Sequence, residues 1–242
     1  MKNLLALISI LAGLVLAPVN LNAQQTTPAA HPSPRFSSTA PGESIPNLDT
    51  LKDRLKQYHD CKRGCYTGDL DLQAGRAIAY LHQRAAHHRP GEKSALVFDI
   101  DETTLSNYEE MLKTGFAYNG DVFNAWVRQA SAPAIPGTLR IFKEAQRLGV
   151  TVFFLTGRPE KQRSATEQNL RSQGFDNWQQ LIMRAPEQGS SSALEYKSAA
   201  RAGIVDQGYR LVLNVGDQWS DLRGVPEAEF SVKYPDPYYF IK

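Results

Sequence analysis

The sequence has little cysteine and little excess charge. Its only cysteines, Cys61 and Cys65, are too few for a disulfide scaffold or a cysteine-rich metal site. The 27 Lys and Arg side chains nearly balance the 25 Asp and Glu side chains, so charge gives no argument for a nucleic-acid polymer as partner. No internal repeat and no long run of like charge occurs. The hydrophobic fraction of 42% excludes a disordered or collagen-like chain, and 242 residues suffice for one large domain or two small ones.

A nearly unbroken apolar run extends from Leu4 to Leu16, after the basic residue Lys2. The run is short for a membrane span and precedes the small residue Ala23, so it predicts a signal peptide over residues 1–23. Leu21 is larger than the small residue usual at the −3 position, so the sequence does not fix the exact cleavage site. An uncleaved anchor is the alternative. No cysteine follows the run to carry a lipid. We therefore expect a periplasmic or secreted protein without a membrane anchor after cleavage.

Residues 24–46 are rich in Pro, Ser, Thr and Ala, which predicts a flexible leader. The folded domain is expected over residues 47–242. Apolar residues recur at helical spacing from about Leu48 and again from about Asp69 to His88, which predicts two N-terminal helices.

After residue 91, short apolar runs alternate with helical stretches. The predicted buried strands are residues 95–100, 151–155, 181–183 and 211–215, with an edge strand at 230–232. The predicted helices are residues 138–148, 160–173 and 194–203. Each is followed by a glycine suited to a left-handed C-cap: Gly149, Gly174 and Gly203. The alternation predicts an α/β fold with a parallel sheet between helices, in which ligands bind beyond the carboxyl ends of the strands.

Those strand ends are acidic. Asp99 and Asp101 end the first run, and Asp217 and Asp221 follow the fourth. Four carboxylates brought together repel one another unless a cation lies among them, and a small set of oxygen ligands suits Mg²⁺. The alternative is that these residues serve as helix caps and turn residues, which Asp often does. Lys197 begins the helix after the third strand and lies in reach of the same crevice, where it would hold a phosphate.

Four segments in this order, FDIDETTLSN, FLTGR, EYKSAAR and NVGDQWSDL, resemble the motifs of the haloacid dehalogenase (HAD) superfamily. More narrowly, the chain resembles the secreted acid phosphatases with four catalytic aspartates, of the bacterial class B and class C types and the plant vegetative-storage type. The resemblance extends from about Asp99 through the tail YPDPYYFIK. It implies a HAD-type Rossmann-like sheet with a small cap at about residues 105–135.

The resemblance also implies residue roles. Asp99 would be the nucleophile and Asp101 the general acid and base, while Thr156 and Lys197 would hold phosphoryl oxygens. The implied cofactor is Mg²⁺, with these ligands: the side chains of Asp99, Asp217 and Asp221 and the backbone carbonyl of Asp101. Because Asp101 must be protonated to serve the leaving alcohol, the rate is expected to be highest at acid pH.

Three further residues are candidates for contact with the substrate. Tyr108 and Trp126 lie in the cap, and the alternative is that they form the core of the cap itself. Arg158 either contacts phosphate or makes an ion pair that supports its loop. Thr103 is expected to cap the turn that follows the first motif.

We therefore expect a Mg²⁺-dependent acid phosphatase acting on small phosphate monoesters, including nucleoside monophosphates, through an aspartyl-phosphate. The alternative is a catalytically weak storage or binding protein on the same fold; loss of the nucleophile would mark it, and Asp99 is present. A dehalogenase needs only the first aspartate, so Asp101 argues against one. Histidine-dependent phosphatases are excluded because no Arg-His-Gly sequence occurs.

Export would place Cys61 and Cys65 in an oxidising compartment. Their spacing of four brings them within reach across one turn, so we predict a disulfide between them. Two buried free thiols are the alternative.

Overall fold

A computed structural model describes residues 46–241 of the chain. The predicted signal peptide and nearly all of the predicted leader lie outside the described residues. The helices are α1 Leu48–His59, α2 Cys65–Ala85, α3 Tyr108–Lys113, α4 Gly120–Gln129, α5 Pro136–Arg147, α6 Arg163–Ser172, α7 Ala193–Asp206 and α8 Trp219–Leu222. The strands are β1 Lys93–Phe98, β2 Thr151–Pro159, β3 Gln180–Arg184, β4 Tyr209–Gly216 and β5 Phe230–Lys233.

The five strands form one parallel sheet in the order β3-β2-β1-β4-β5. The predicted α/β fold and parallel sheet are confirmed, and each predicted strand is present. Because all strands run the same way, their carboxyl ends meet at one edge of the sheet. Val97 of β1 is paired with Phe153 of β2 on one side and with Asn214 of β4 on the other, so β1 lies at the centre.

Alternate residues of β1 face two separate apolar layers. Ala95 and Val97 pack with Tyr196 and Ile204 of α7 on one face of the sheet. On the other face, Leu96 and Phe98 join the larger core that includes the buried residues of α2 and α5. A strand buried on both faces reads as a continuous apolar run, which is why the sequence revealed it.

The glycines predicted to end helices divide into two groups. Gly149 and Gly174 follow α5 and α6 with φ of 72° and 87°, which confirms left-handed caps at both positions. The prediction for Gly203 is wrong, because α7 continues to Asp206 and the positive φ falls at Gly208. Ile204 is fully buried against the sheet, and its packing outweighs the cost of about 1 kcal/mol for a glycine inside a helix.

The two N-terminal helices are joined by a short loop that Cys61 and Cys65 close with a disulfide, their Cα atoms 5.6 Å apart. The second helix begins at Cys65 and ends at Ala85, earlier at both ends than predicted. Burial of Tyr66 in its first turn extends the apolar face beyond the residues used for the prediction. Within the described residues, no helix has the length and apolar content needed to cross a bilayer.

Candidate active site

Polar side chains from several elements converge at the carboxyl edge of the sheet. Asp99 directly follows β1, Thr156 lies in β2, and Asp217 directly follows β4. Lys197 enters from the first turns of α7, whose N-terminus is fixed by a capping box between Ser192 and Glu195. The ends of the central strands thus provide a common site.

Asp99, Asp217 and Asp221 form a carboxylate triad whose oxygens lie within 4.8 Å of one another. All three side chains are buried. Burial raises the pKa of Asp99 and of Asp217 well above the ordinary range of an aspartate, and the neighbouring Asp221 carboxylate raises both further. Three buried carboxylates this close need a positive charge beside them.

The one-turn helix α8 places Asp221 next to Asp217. The backbone N–H of Gln218 donates to Oδ2 of Asp221 at 2.8 Å, which holds that side chain under the end of β4. Gly216 makes room for it, because a Cβ at this position would overlap the Asp221 side chain.

Lys197 supplies the positive charge within the protein. Its Nζ donates to Oδ1 of Asp99 at 2.5 Å and also to Oδ1 of Asp221. Burial alone would lower the pKa of Lys197, but the Asp221 and Asp99 carboxylates raise it above its ordinary value. The ammonium is therefore charged and lies in contact with Asp99.

The triad has the chemistry of a site for a divalent cation. Its donors are carboxylate oxygens, the hard ligands that Mg²⁺ and Ca²⁺ take. The single charge of Lys197 compensates only part of the three carboxylates, and Asp217 makes no hydrogen bond to it in the structure. The residues present therefore fit a bound cation.

Asp101 is not part of the triad and has partners of its own. Arg158 donates to it from Nη2 at 2.7 Å and from Nε at 3.1 and 3.2 Å, and the Asn107 amide donates at 2.8 Å. Burial alone would raise the pKa of Asp101, but the charge and hydrogen bonds of Arg158 hold it below its ordinary value. Of the two roles considered for Arg158, the structure shows the ion pair.

The two threonines make different contacts. The hydroxyl of Thr156, in the second half of β2, accepts the backbone N–H of Arg158 at 3.1 Å, and the residue is fully buried. Thr103 was expected to cap a turn; instead its hydroxyl donates to Oδ1 of Asp217 at 3.0 Å. A partner more than a hundred positions away in sequence could not be read from a local motif.

The sequence as a whole matches a known protein family. The model of the HAD superfamily, subfamily IIIB (acid phosphatase), matches residues 23–242. The chain belongs to this family. It is a phosphoric monoester hydrolase, and phosphatases of this superfamily depend on a metal.

Individual relatives agree with this assignment. Acid phosphatase 1 of Solanum lycopersicum is 43% identical over 208 residues, which cover 85% of this chain and 79% of that protein. Vegetative storage protein 1 of Arabidopsis thaliana is 28% identical over 204 residues, covering 82% and 74%. The class C acid phosphatase from Bacillus anthracis shares the fold, with a TM-score of 0.66 and 23% identity over 80% of this chain and 86% of that one.

The C-terminal tail of this acid phosphatase forms one wall of a cavity of about 480 Å³ beside Asp217. Gln218 fixes the wall, since its Nε2 donates to Asp217 at 2.7 Å and to Asp236 at 2.6 Å, and its Oε1 accepts the N–H of Ile241 at 3.1 Å. The cavity is lined by Asp217, Gln218, Trp219, Lys233, Asp236, Pro237, Tyr238, Tyr239 and Phe240.

Tyr239 is a residue of this wall that the sequence reasoning missed. Burial, together with the charges of Asp217, Glu102 and Asp101, raises its pKa well above the ordinary value. Its hydroxyl therefore lies within the field of the active-site carboxylates. The sequence signal for this wall is the run of aromatic residues that follows the last strand, β5.

The two cap aromatics proposed to contact substrate are both buried, Tyr108 with 8% and Trp126 with 6% of its surface exposed. The ring of Tyr108 stacks on His59, with centroids 3.3 Å apart. The indole N–H of Trp126 donates to Oδ1 of Asn107 at 2.9 Å. The contact of Trp126 lies within the cap, as in the alternative stated above, whereas Tyr108 packs against α1 outside the cap.

Proposed function

We propose that this acid phosphatase is an exported, Mg²⁺-dependent enzyme of broad specificity that cleaves small phosphate monoesters through an aspartyl-phosphate on Asp99. The observation that carries the proposal is the separation of the carboxylates into two environments. Asp99 lies in the triad beside Lys197, whereas Asp101 is held apart by Arg158. The environment of Asp99 suits a nucleophile beside a cation, and that of Asp101 suits a general acid and base.

In the first half-reaction, an Asp99 oxygen forms a bond to phosphorus while the bond from phosphorus to the leaving oxygen breaks. Asp101 donates a proton to that leaving oxygen. Lys197 holds the phosphoryl oxygens and screens their charge from Asp99, and Thr156 contacts them from β2. When bound by Asp99, Asp217, Asp221 and the Asp101 carbonyl, Mg²⁺ would stabilise negative charge on the transferring group.

In the second half-reaction, Asp101 accepts a proton from water, which attacks phosphorus and releases Asp99 and inorganic phosphate. The same carboxyl group thus serves as acid and then as base. Because Arg158 favours the ionised form of Asp101, the protonated form needed for the first step is abundant only at acid pH. This sign agrees with the acidic optimum expected from the sequence.

The proposal is tested by substituting the nucleophile and by removing the metal. Asp99→Asn should abolish turnover of p-nitrophenyl phosphate, whereas the control Asp121→Asn, on the exposed start of α4, should keep it. Chelation should abolish wild-type turnover, and added Mg²⁺ should restore it. Acid quenching during turnover should trap a phosphoenzyme in the wild type but not in Asp99→Asn. Full activity of a metal-free preparation would contradict the mechanism.

Planar leaving groups fit the cavity beside Asp217. Phe240 and Trp219 of its lining are 71% and 46% exposed, so they offer aromatic surface to a ligand. We therefore expect a higher kcat/KM for a nucleoside monophosphate than for glycerol phosphate. Phe240→Ala should reduce that preference, and equal rates for the two substrates in the wild type would exclude a leaving-group role for the cavity.

The alternative of a catalytically weak storage or binding protein is addressed by the same assays. A storage protein need not retain the nucleophilic aspartate or the lysine beside it. In this chain Asp99 and Lys197 are both present and in contact. A kcat/KM on p-nitrophenyl phosphate below about 10² M⁻¹s⁻¹, far under the usual enzyme range, would favour the storage role. Sequencing the N-terminus of protein recovered from the periplasm or medium tests export and locates the cleavage site.

A further inference from the structure

Asn107, at the beginning of the cap, makes a set of contacts that its position does not require. It is the residue before α3, where an asparagine side chain normally accepts a backbone N–H of the first turn. Here it makes no such capping bond and is 2% exposed. Its amide nitrogen instead donates to Oδ1 of Asp101 at 2.8 Å and to Oε2 of Glu102 at 2.9 Å.

The orientation of this amide is determined by Trp126. An indole N–H can only donate, so Oδ1 of Asn107, which lies 2.9 Å from it, must be the acceptor. The two amide hydrogens then point at the two carboxylates. The backbone N–H of Asn107 also donates to Oε1 of Glu102 at 2.6 Å, so the residue is anchored at three of its polar groups.

The contacts to Asp101 are unevenly distributed between its two oxygens. In the part of the chain that the structure describes, Oδ1 accepts from Nη2 of Arg158, from Nε of Arg158 and from Asn107. Oδ2 accepts only from Nε of Arg158, at 3.2 Å. The oxygen with spare capacity to carry and transfer a proton is therefore Oδ2.

We propose that Asn107 is a positioning residue that aims Oδ2 of Asp101 at the leaving oxygen, and that Trp126 of the cap fixes the amide that does so. The inference rests on the proposed function, in which Asp101 is the general acid. It links α4 of the cap to the proton-transfer step through two hydrogen bonds, without contact between Trp126 and the substrate.

The test compares substrates that need the proton to different degrees. A nitrophenolate leaves readily without a proton, whereas an alkoxide needs one. The measured quantity is kcat/KM, which reports the steps up to phosphoryl transfer, for a series of aryl and alkyl phosphates at saturating Mg²⁺. The variants are Asn107→Ala and Trp126→Phe, which removes the indole N–H donor together with part of the ring. Trp178→Phe makes the same change of ring at another site and is the control.

Asn107→Ala should lower kcat/KM by about 10²-fold for an alkyl phosphate and by less than about tenfold for nitrophenyl phosphate, because misplaced general acids cost 10² to 10⁴-fold. Trp126→Phe should change the substrate dependence in the same direction, and Trp178→Phe should leave it as in the wild type. Partial misfolding would lower kcat/KM by the same factor for every substrate, so the ratio between aryl and alkyl phosphates would stay as in the wild type.

An unchanged substrate dependence in both Asn107→Ala and Trp126→Phe would overturn the inference. If the wild type forms the phosphoenzyme while the dependence is unchanged, only the role of Asn107 fails. If the wild type forms no phosphoenzyme, the proposed function fails as well.

Discussion

At the residue scale, Lys197 donates to the same carboxylate oxygens that would hold the proposed metal. The Lys197 ammonium donates to Asp99 and Asp221, two of the three members of the triad. In the metal-free protein, this ammonium is the charge that keeps the carboxylates together. Under the proposed mechanism, a cation bound to the triad would take over part of that stabilising role and would leave Lys197 available for a phosphoryl group.

Lys197→Met should therefore destabilise the metal-free protein by about 3 kcal/mol or more, because it leaves buried carboxylates without their partner. Added Mg²⁺ should then raise the melting temperature of the variant more than that of the wild type. Thermal unfolding in chelator and in Mg²⁺ measures both effects, with the exposed Lys161→Met as control. Equal Mg²⁺-induced shifts in the two proteins would show that Lys197 does not compensate the triad.

At the element scale, the disulfide joins α1 and α2 through a loop of four positions. A loop this short restricts the unfolded chain only slightly, so replacing both cysteines with serine should cost about 2 kcal/mol. Thiol titration of the denatured, unreduced protein should find no free thiol. Two titratable thiols would contradict the disulfide.

A second contact between elements should make stability depend on pH. Glu92, before β1, accepts from the Ser94 hydroxyl at 2.9 Å and pairs with Arg84 at the end of α2. The Ser94 hydrogen bond and then Arg84 lower the pKa of Glu92. The stabilisation is therefore complete above the unfolded-state pKa of about 4.3 and is lost as pH falls through the lower folded-state value.

Glu92→Gln should accordingly lower the melting temperature at pH 7, and the difference from the wild type should disappear in strong acid. Glu109→Gln, which alters only an exposed pair within α3, is the matched control. A difference between Glu92→Gln and the wild type that stays constant from pH 7 into strong acid would show that the charge of Glu92 is not what stabilises this contact.

The strands and the principal site residues were predictable because each depends on a local pattern. An apolar run marks a strand buried on both faces, and a polar residue directly after it, such as Asp99 or Asp217, must lie at the sheet edge. The role of Asn107 was not predictable, because it depends on how Trp126 packs in the folded cap. The helix end predicted at Gly203 was wrong for a related reason, because the contact of Ile204 with the sheet outweighs the tendency of a glycine to end a helix.

At the scale of the whole molecule, an aromatic cluster connects the N-terminal helices, the cap and the C-terminal tail. Its members are His59, Tyr66, Tyr108, Phe116 and Tyr238. The buried hydroxyls of Tyr66 and Tyr238 have no hydrogen-bond partner among the described residues. The rings therefore stabilise this junction while the hydroxyls oppose it.

Tyr238→Ala should destabilise the protein by about 3–5 kcal/mol, because it removes a buried ring that packs on the N-terminal helices and on the cap. Tyr238→Phe should be neutral or stabilising, because it removes only a buried hydroxyl without a partner. Chemical denaturation of both variants measures the two free energies of unfolding. A marked loss of stability in Tyr238→Phe would reveal a partner for the hydroxyl.

The parallel sheet also determines when the carboxylate triad can exist during folding. β1 and β2 can pair early in synthesis, but Asp217 and Asp221 follow β4, which pairs with β1 only after the intervening cap, β2, β3 and α7 have been made. Long-range parallel pairing of this kind forms slowly and late. A cation held by the triad would stabilise contacts that form only after this late pairing. It should therefore lengthen the lifetime of the folded enzyme without hastening its formation.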